Sequence, residues 1–232
     1  MKIGVISDIH GNIYALKKVL GEIKKLDIKE IYFLGDIVGY YYDADKCIDL
    51  LLKYRVKSIY GNHEKLFLRS IKDKNLLIRL SKKYGSSIRD LQLKLKHKHL
   101  KWLKNLPKTI KLNQGNHRIL FCHGSPWSVY DYFYKEQIKK LKNKINKINY
   151  NLLFVGNTQV QNKLNLKNLK VINPGSVGQP RKKGSGDSQW CYYDLFSNKV
   201  FFKNTTYDKS KLLKKINKFD PKIKYLKEVL SR

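Results

Sequence analysis

Short runs of apolar and β-favouring residues recur along the chain at Ile3-Gly4-Val5-Ile6, Ile31-Tyr32-Phe33-Leu34, Val56 to Tyr60, Ile119-Leu120-Phe121-Cys122, Leu152 to Val155 and Val171-Ile172. Runs this short predict strands, not helices. Between the early ones the period changes: Leu16, Val19, Leu20 and Ile23, then Cys47, Ile48, Leu51 and Leu52, fall at helical spacing. Alternation of strand and helix predicts an α/β protein. From Glu64 to Pro107 the texture becomes rich in Leu and Lys, with Leu91, Leu95, Leu100, Trp102 and Leu103 offering an apolar face and Gly85 a break. A helical cap inserted at about residues 65–107 is expected. Ile138, Leu141, Ile145 and Ile148 predict a further amphipathic helix, the alternating WCYYDLF and KVFFKNT runs around Ser197-Asn198 a β-hairpin, and a basic C-terminal helix follows, interrupted at Asp220-Pro221.

At 232 residues, 42% of them hydrophobic, the chain can bury a substantial core, and a single domain over 1–232 is expected. No apolar run approaches the roughly 18 to 20 residues of a membrane span, so a soluble, unsecreted protein with no membrane partner is expected. Cys47, Cys122 and Cys191 are odd in number and widely spaced, which suits a reducing cytoplasm and not a disulfide framework. Lys and Arg number 49 against 18 Asp and Glu, a net +31. The excess is almost all Lys, travels with abundant Asn, Ile and Tyr, and is spread over every helix-like segment. That pattern predicts a general pull on anionic substrates ahead of nucleic-acid binding.

Chemistry collects where the predicted strands end. The first runs into Asp8 and His10, the second into Asp36, the third into Asn62 and His63, the fourth into His123, and the fifth into Asn157 and Gln159. Taken singly, each reads as a turn or a cap. Together they fall at the carboxyl ends of strands, where open α/β sheets build ligand sites. Two Asp, an Asn and several His suit divalent ions such as Mn, Mg, Fe(II) or Zn. Asp8 and His10, two apart on an extended segment, would grip one ion together, and Asp36 could bridge two. Two ions about 3.5 to 4 Å apart can hold a hydroxide and clamp a phosphoryl group.

The ordered motifs D-x-H-G-N, G-D-I-V-G-Y, G-N-H-E, H-G-S-P and N-P-G-S-V-G-Q-P-R resemble those of the calcineurin-like metallophosphoesterases, closest to the small bacterial and archaeal phosphodiesterase branch called diadenosine-tetraphosphatase-like. The resemblance implies a two-sheet β-sandwich flanked by helices. It implies two divalent ions, Mn foremost, with Fe, Zn, Mg and Ni as the other candidates. Asp8 and His10 would bind the first, Asp36 would bridge, and Asn62 and His123 would bind the second. His63 would contact the phosphate and protonate or electrostatically support the leaving oxygen. Asn12 either touches substrate or caps a helix. Pro174, Gly175 and Ser176 are expected to shape a tight loop beside the site. Arg181, Lys182 and Lys183 are expected in a solvated basic loop, with contact to an anionic substrate as the alternative. Tyr40, Tyr41 and Tyr42 stack on the cap helices or on a nucleobase.

One loop departs from the pattern. The family has Gly-His-Thr-His where this chain has Gly156-Asn157-Thr158-Gln159. Three readings are open: the amide oxygens of Asn157 and Gln159 ligate both ions at reduced affinity; the protein is a pseudoenzyme that binds a phosphorylated ligand with little turnover; or the changes are deliberate or reflect a lineage that has altered its metal use. The expectation is a cytoplasmic divalent-metal-dependent phosphoesterase acting on phosphodiesters or nucleotides through a metal-bridging hydroxide. The alternatives are an impaired enzyme, or a nucleic-acid or protein interaction module on the same fold.

Overall fold

The computed structural model describes residues 1–145, 147–181 and 187–231. In chain order the strands are β1 (Lys2–Ile6), β2 (Glu30–Phe33), β3 (Lys57–Ser58), β4 (Thr109–Gln114), β5 (His117–Cys122), β6 (Leu152–Phe154), β7 (Asn162–Asn165), β8 (Lys170–Asn173), β9 (Ser188–Asp194) and β10 (Lys199–Thr205). They form two five-stranded sheets, ordered β10-β9-β1-β2-β3 and β4-β5-β6-β8-β7. Within the first, β1, β2 and β3 run parallel; within the second, β5, β6 and β8 do. The parallel strands of each sheet therefore empty their carboxyl ends at one edge.

Side-chain alternation along the strands separates three apolar clusters. Ile3, Val5, Tyr32, Leu34, Phe121, Phe154, Cys191 and Tyr193 fill the space between the sheets. There the Tyr32 and Phe121 rings stack 3.9 Å apart and Phe121 stacks on Phe154. Leu120, Cys122, Leu153, Val155 and Val171 point to the opposite side of the second sheet. The helix α7 (Lys135–Ile145) contributes Ile138 and Ile145 to that side; the side chain of Leu141 lies outside the described ones. On the far side of the first sheet pack α1 (Ile13–Lys25) and α2 (Ala44–Lys53). The order of layers is helix, sheet, sheet, helix.

The predicted helical segment is four helices, α3 (Asn62–Ser70), α4 (Lys74–Tyr84), α5 (Ser87–Lys94) and α6 (His97–Asn105). Phe67, Leu80, Tyr84, Leu91 and Leu103 join the same apolar cluster as α1 and α2. Gly85 ends α4 at φ +89°, and a Cβ there would stand 2.8 Å from Asp220 Oδ2. Asp220 follows α8 (Ser210–Phe219) and precedes α9 (Lys224–Glu228), so the interruption at Asp220-Pro221 falls as predicted. The hairpin β9–β10 is also as predicted. Two strands were missed. β4 and β7 are edge strands of mixed polarity, TIKLNQ and NKLN, because an edge strand does not need two apolar faces. Cys47, Cys122 and Cys191 are buried thiols. Among the described residues, no helix is long and apolar enough to cross a membrane.

Candidate metal centre

The loops leaving β1, β2, β3, β5 and β6 meet between the two sheet edges and bring every predicted ligand position to one place. Asp8, His10, Asp36, His123, Asn157 and Gln159 are all buried. Metal-compatible groupings arise around one carboxylate: Asp8, Asp36 and His123 in one, His10, Asp36 and His63 in the other. Asp8, His10, Asp36, Asn157 and Gln159 have positive φ, from 50° to 64°, a region that costs a non-glycine residue of order 1 kcal/mol or more. Strain gathered on these residues marks a site that the surrounding structure is built to hold.

The Asp8–His10 segment differs from the extended reading. Both residues are left-handed because the backbone turns across the β2 loop, Asp8 N–H donating to Gly35, His10 to Asp36 and Gly11 to Ile37. Asp8 Oδ1 and His10 Nε2 still stand only 3.8 Å apart.

Around Asp36 the facing atoms are carboxylate and amide oxygens and an imidazole nitrogen. His123 Nδ1 donates to the Leu34 carbonyl at 2.7 Å, which turns Nε2 to the centre, a lone pair in the neutral ring and a donor in the charged one. That nitrogen lies 2.9 Å from Asn62 Oδ1 and 3.3 Å from Asp36 Oδ2. Asn157 spends its amide N–H groups on the carbonyls of Val129 (3.3 Å) and Asp131 (3.0 Å), so its oxygen is its remaining polar group. Such a set calls for a cation. Burial opposes charge on His123, yet Asp36, Asp8 and Glu64 lift its pKa to about 9. Burial likewise opposes charge on Asp36, but His123, His63 and His10 hold it well below the usual carboxylate range. The donor set at this position fits a divalent ion.

Around Asp8 and His10 the chemistry is different. Gln159 Nε2 donates to Asp8 Oδ1 at 3.3 Å and lies 2.8 Å from His10 Nε2. Its oxygen accepts from Arg181 Nε at 2.9 Å. The nitrogen end of the amide, and not the oxygen that a ligand would offer, faces the predicted first-ion residues. His10 Nδ1 donates to the Val38 carbonyl, and burial, with His63 beside it, lowers the pKa of the ring to about 3. Burial raises Asp8 to about 6 against the pull of His123.

Asn12 caps α1. It is fully buried, accepts from Ala15 N–H, and donates to Gly178 O and Tyr207 Oη. Ser176 Oγ and Gly178 N–H bind the Asp8 carbonyl, so this tight loop shapes the site as expected. Arg181 is half-buried against Gln159 and not part of a solvated loop; Lys182 and Lys183 lie outside the described residues. Tyr40 sits edge-on to His10 and Tyr84. Tyr41 and Tyr42 face the C-terminal segment, donating to Leu226 O and Asp220 Oδ2.

Two contributors were not recognised in the sequence. The fully buried Glu64 carboxylate accepts from the backbone N–H groups of Asp36, Ile37, Val38 and Gly61 at 2.6 to 3.2 Å. Its signal is an acid three residues after Gly61 at a helix start. Burial, then Asp36, raises its pKa to about 7. The second is a pocket of about 520 Å³ over the acceptors, walled by Tyr40, Tyr84, Tyr132 and Tyr225 and carrying Lys83 and Arg181.

The family model for the calcineurin-like phosphoesterase superfamily domain matches residues 1–194. The uncharacterized protein MJ0912 of Methanocaldococcus jannaschii is 32% identical over 234 residues, covering 93% of this chain and 92% of its own length. A metallophosphoesterase from Sphaerobacter thermophilus superposes with a TM-score of 0.75 at 26% identity, covering 94% of each chain. The hypothetical protein PH1004 of Pyrococcus horikoshii OT3 shares the fold, with a TM-score of 0.78 at 22% identity over 99% of this chain and 97% of that one. This chain belongs to the calcineurin-like phosphoesterase superfamily, whose members use divalent metals.

Proposed function

We propose that the protein is a divalent-metal-dependent phosphoesterase acting on phosphodiesters or nucleotides. The observation that carries this reading is the convergence of Asp36 Oδ2, Asn62 Oδ1 and His123 Nε2, all three of them acceptors once His123 gives up its Nε2 proton, beneath a cationic, tyrosine-walled pocket. A divalent ion held by Asp36, Asn62, His123 and the oxygen of Asn157 would supply Lewis acidity, activating water and drawing charge from the phosphoryl oxygens. Manganese suits this oxygen-rich set best.

The chain's own groups do the rest. Arg181 and Lys83 neutralise and orient the anionic phosphoryl group from the pocket wall. His63, buried, with its Nε2 3.9 Å from Asp36 Oδ2, holds a proton for the leaving oxygen. Glu64 keeps the Asp36 loop in place through four backbone hydrogen bonds. Tyr84 and Lys83 come from α4, so the helical segment acts as a cap within one domain and shapes what enters. Four tyrosines favour a substrate with a planar group over a bare phosphoprotein side chain. Three unpaired thiols suit work in the cytoplasm.

Hydrolysis of an activated diaryl phosphodiester in millimolar Mn2+ is the direct test. Turnover that a chelator abolishes and added Mn2+ restores is expected. No bound metal, with no rate above buffer, would sink the enzyme reading.

A further inference from the structure

We propose that the chain holds one divalent ion and not a pair: the ion lies among Asp36, Asn62, His123 and Asn157, while the Gln159 amide nitrogen, backed by the Arg181 guanidinium, takes the place of the other. This rests on the phosphoesterase reading and narrows it.

The orientation of the Gln159 amide is forced. Arginine has donors and no acceptor, so the atom that Arg181 Nε touches at 2.9 Å is the oxygen. The amino group must then face Asp8 Oδ1 and His10 Nε2. Both of those atoms are acceptors, because Asp8 is a carboxylate and His10 uses Nδ1 as its donor to Val38. Two N–H bonds meet two acceptors. The other Asp8 oxygen accepts from Ser7 Oγ at 2.5 Å and from Asn157 N–H at 3.3 Å. Every polar atom at this position has a protein partner, which is what an ion would otherwise provide.

The arrangement is also anchored. Arg181 N–H donates to the Gln159 carbonyl at 3.1 Å, so this pair is tied twice. Asn173 holds the same loop through Gly156 O and Thr158 Oγ1. To admit an ion between Asp8 and His10, a buried amide must turn over and break its bond to Arg181. That leaves a half-buried guanidinium facing a second divalent charge. Nothing comparable blocks the Asp36 position, where no amide must turn over and only the Nε2 proton of His123 has to leave.

Charge points the same way. The carboxylates buried at this centre are Asp8, Asp36 and, behind Asp36, Glu64. One divalent ion and the Arg181 cation balance them; a second ion would leave an excess of positive charge in a buried space. In this arrangement Asp8 and His10 act as positioning residues for Gln159, and Arg181 gives the phosphoryl oxygens the positive charge that a second ion would give.

The test is to titrate chelator-treated protein with Mn2+ alone, counting bound ions by calorimetry and elemental analysis and recording the electron paramagnetic resonance spectrum. One ion per chain with an uncoupled spectrum is expected. His123→Ala should weaken Mn2+ binding by about tenfold or more, while His10→Gln leaves it within about threefold. Gln159→His combined with Arg181→Gln should raise the count to two; should that double variant fail to fold, the parent count and the His10 and His123 variants decide the matter. Two ions on the parent with a spin-coupled spectrum, or a His10→Gln loss as large as that of His123→Ala, overturns the one-ion inference and leaves the phosphoesterase reading standing. No bound ion at all overturns both.

Discussion

Arg181 and Gln159, 22 residues apart in sequence, share a 2.9 Å hydrogen bond that decides which end of the Gln159 amide faces the centre. The same guanidinium lines the pocket, so one residue sets both the polarity of a ligand position and the charge offered to substrate. Arg181→Ala should raise KM for an anionic diester by about tenfold or more, the size of one charge-assisted hydrogen bond. Arg181→Lys should recover only part of that loss, because an ammonium does not reproduce the planar Nε–H that holds Gln159. Steady-state kinetics across the three proteins checks this, and equal KM values for Ala and parent would remove Arg181 from the site.

Glu64 is the hidden support of the Asp36 loop. Replacing it with Gln turns one of its oxygens into an amino group facing two of the four backbone N–H donors, which are left buried and unpaired at about 1 to 3 kcal/mol each. A net loss of about 3 kcal/mol is expected, or roughly 6 to 12 °C in Tm for a chain of this size. Mn2+ affinity should fall with it, since Asp36 Oδ1 is placed by the same turn through His63 N–H at 2.9 Å. Calorimetric melting with and without Mn2+ reads both effects.

Much of this architecture was legible from residue pattern alone, for identifiable reasons. β1, β2, β5, β6 and β8 are buried on both faces, so they read as apolar runs. Their exits carry the polar groups because strand ends are where backbone turns toward a shared crevice. Edge strands β4 and β7 were concealed by their Lys and Asn residues. Glu64 was overlooked because an acid in a first helical turn ordinarily faces solvent, and only the fold brings Asp36, Ile37 and Val38 to it. The contact between Gln159 and Arg181 has no local signature: it depends on where β8 returns the chain, and Arg181 read singly looks solvated.

Asp220 joins three segments. Its carboxylate accepts from Ser86 N–H and Oγ and from Tyr42 Oη, all at 2.9 to 3.1 Å. Asp220→Ala should cost about 2 kcal/mol by leaving a buried phenol and a loop N–H without acceptors. Gly85→Ala should cost a similar amount, because it places a Cβ 2.8 Å from the same carboxylate at a φ of +89°. Equilibrium urea unfolding measures each; a double variant that loses less than the sum would show that the two share one contact.

The link between α2 and α6 should depend on pH. Asp49 accepts from Lys98 Nζ at 2.5 Å and His99 Nε2 at 3.0 Å, and these bonds, that of Lys98 first, hold its pKa below the usual carboxylate range. A depressed carboxylate stabilises above its unfolded value and loses that contribution as pH falls through its folded one. Asp49 is 45% exposed, so solvent screening keeps the contribution below about 1 kcal/mol. Asp49→Asn should therefore be slightly less stable than the parent at neutral pH, with the difference closing at a pH well below the usual carboxylate range. Unfolding curves at the two pH values test the sign.

Tyr132 offers the sharpest probe of substrate class. It is half-buried on the wall of the pocket that the cap residue Tyr84 also lines, and ring stacking on a planar group contributes about 1 to 3 kcal/mol. If the pocket receives a base or an aryl group, Tyr132→Ala should raise KM about tenfold for a nucleoside-bearing diester. It should leave KM for a dialkyl phosphodiester nearly unchanged, with kcat little altered for either, because the lost contact is remote from the reacting phosphorus. Replacement by Phe should restore the aryl preference, since the ring and not the hydroxyl makes the stack. Equal KM changes for the two substrates would point instead to a wall that merely excludes water. Substrate choice would then fall to Lys83 and Arg181, whose charges recognise phosphate whatever it is esterified to.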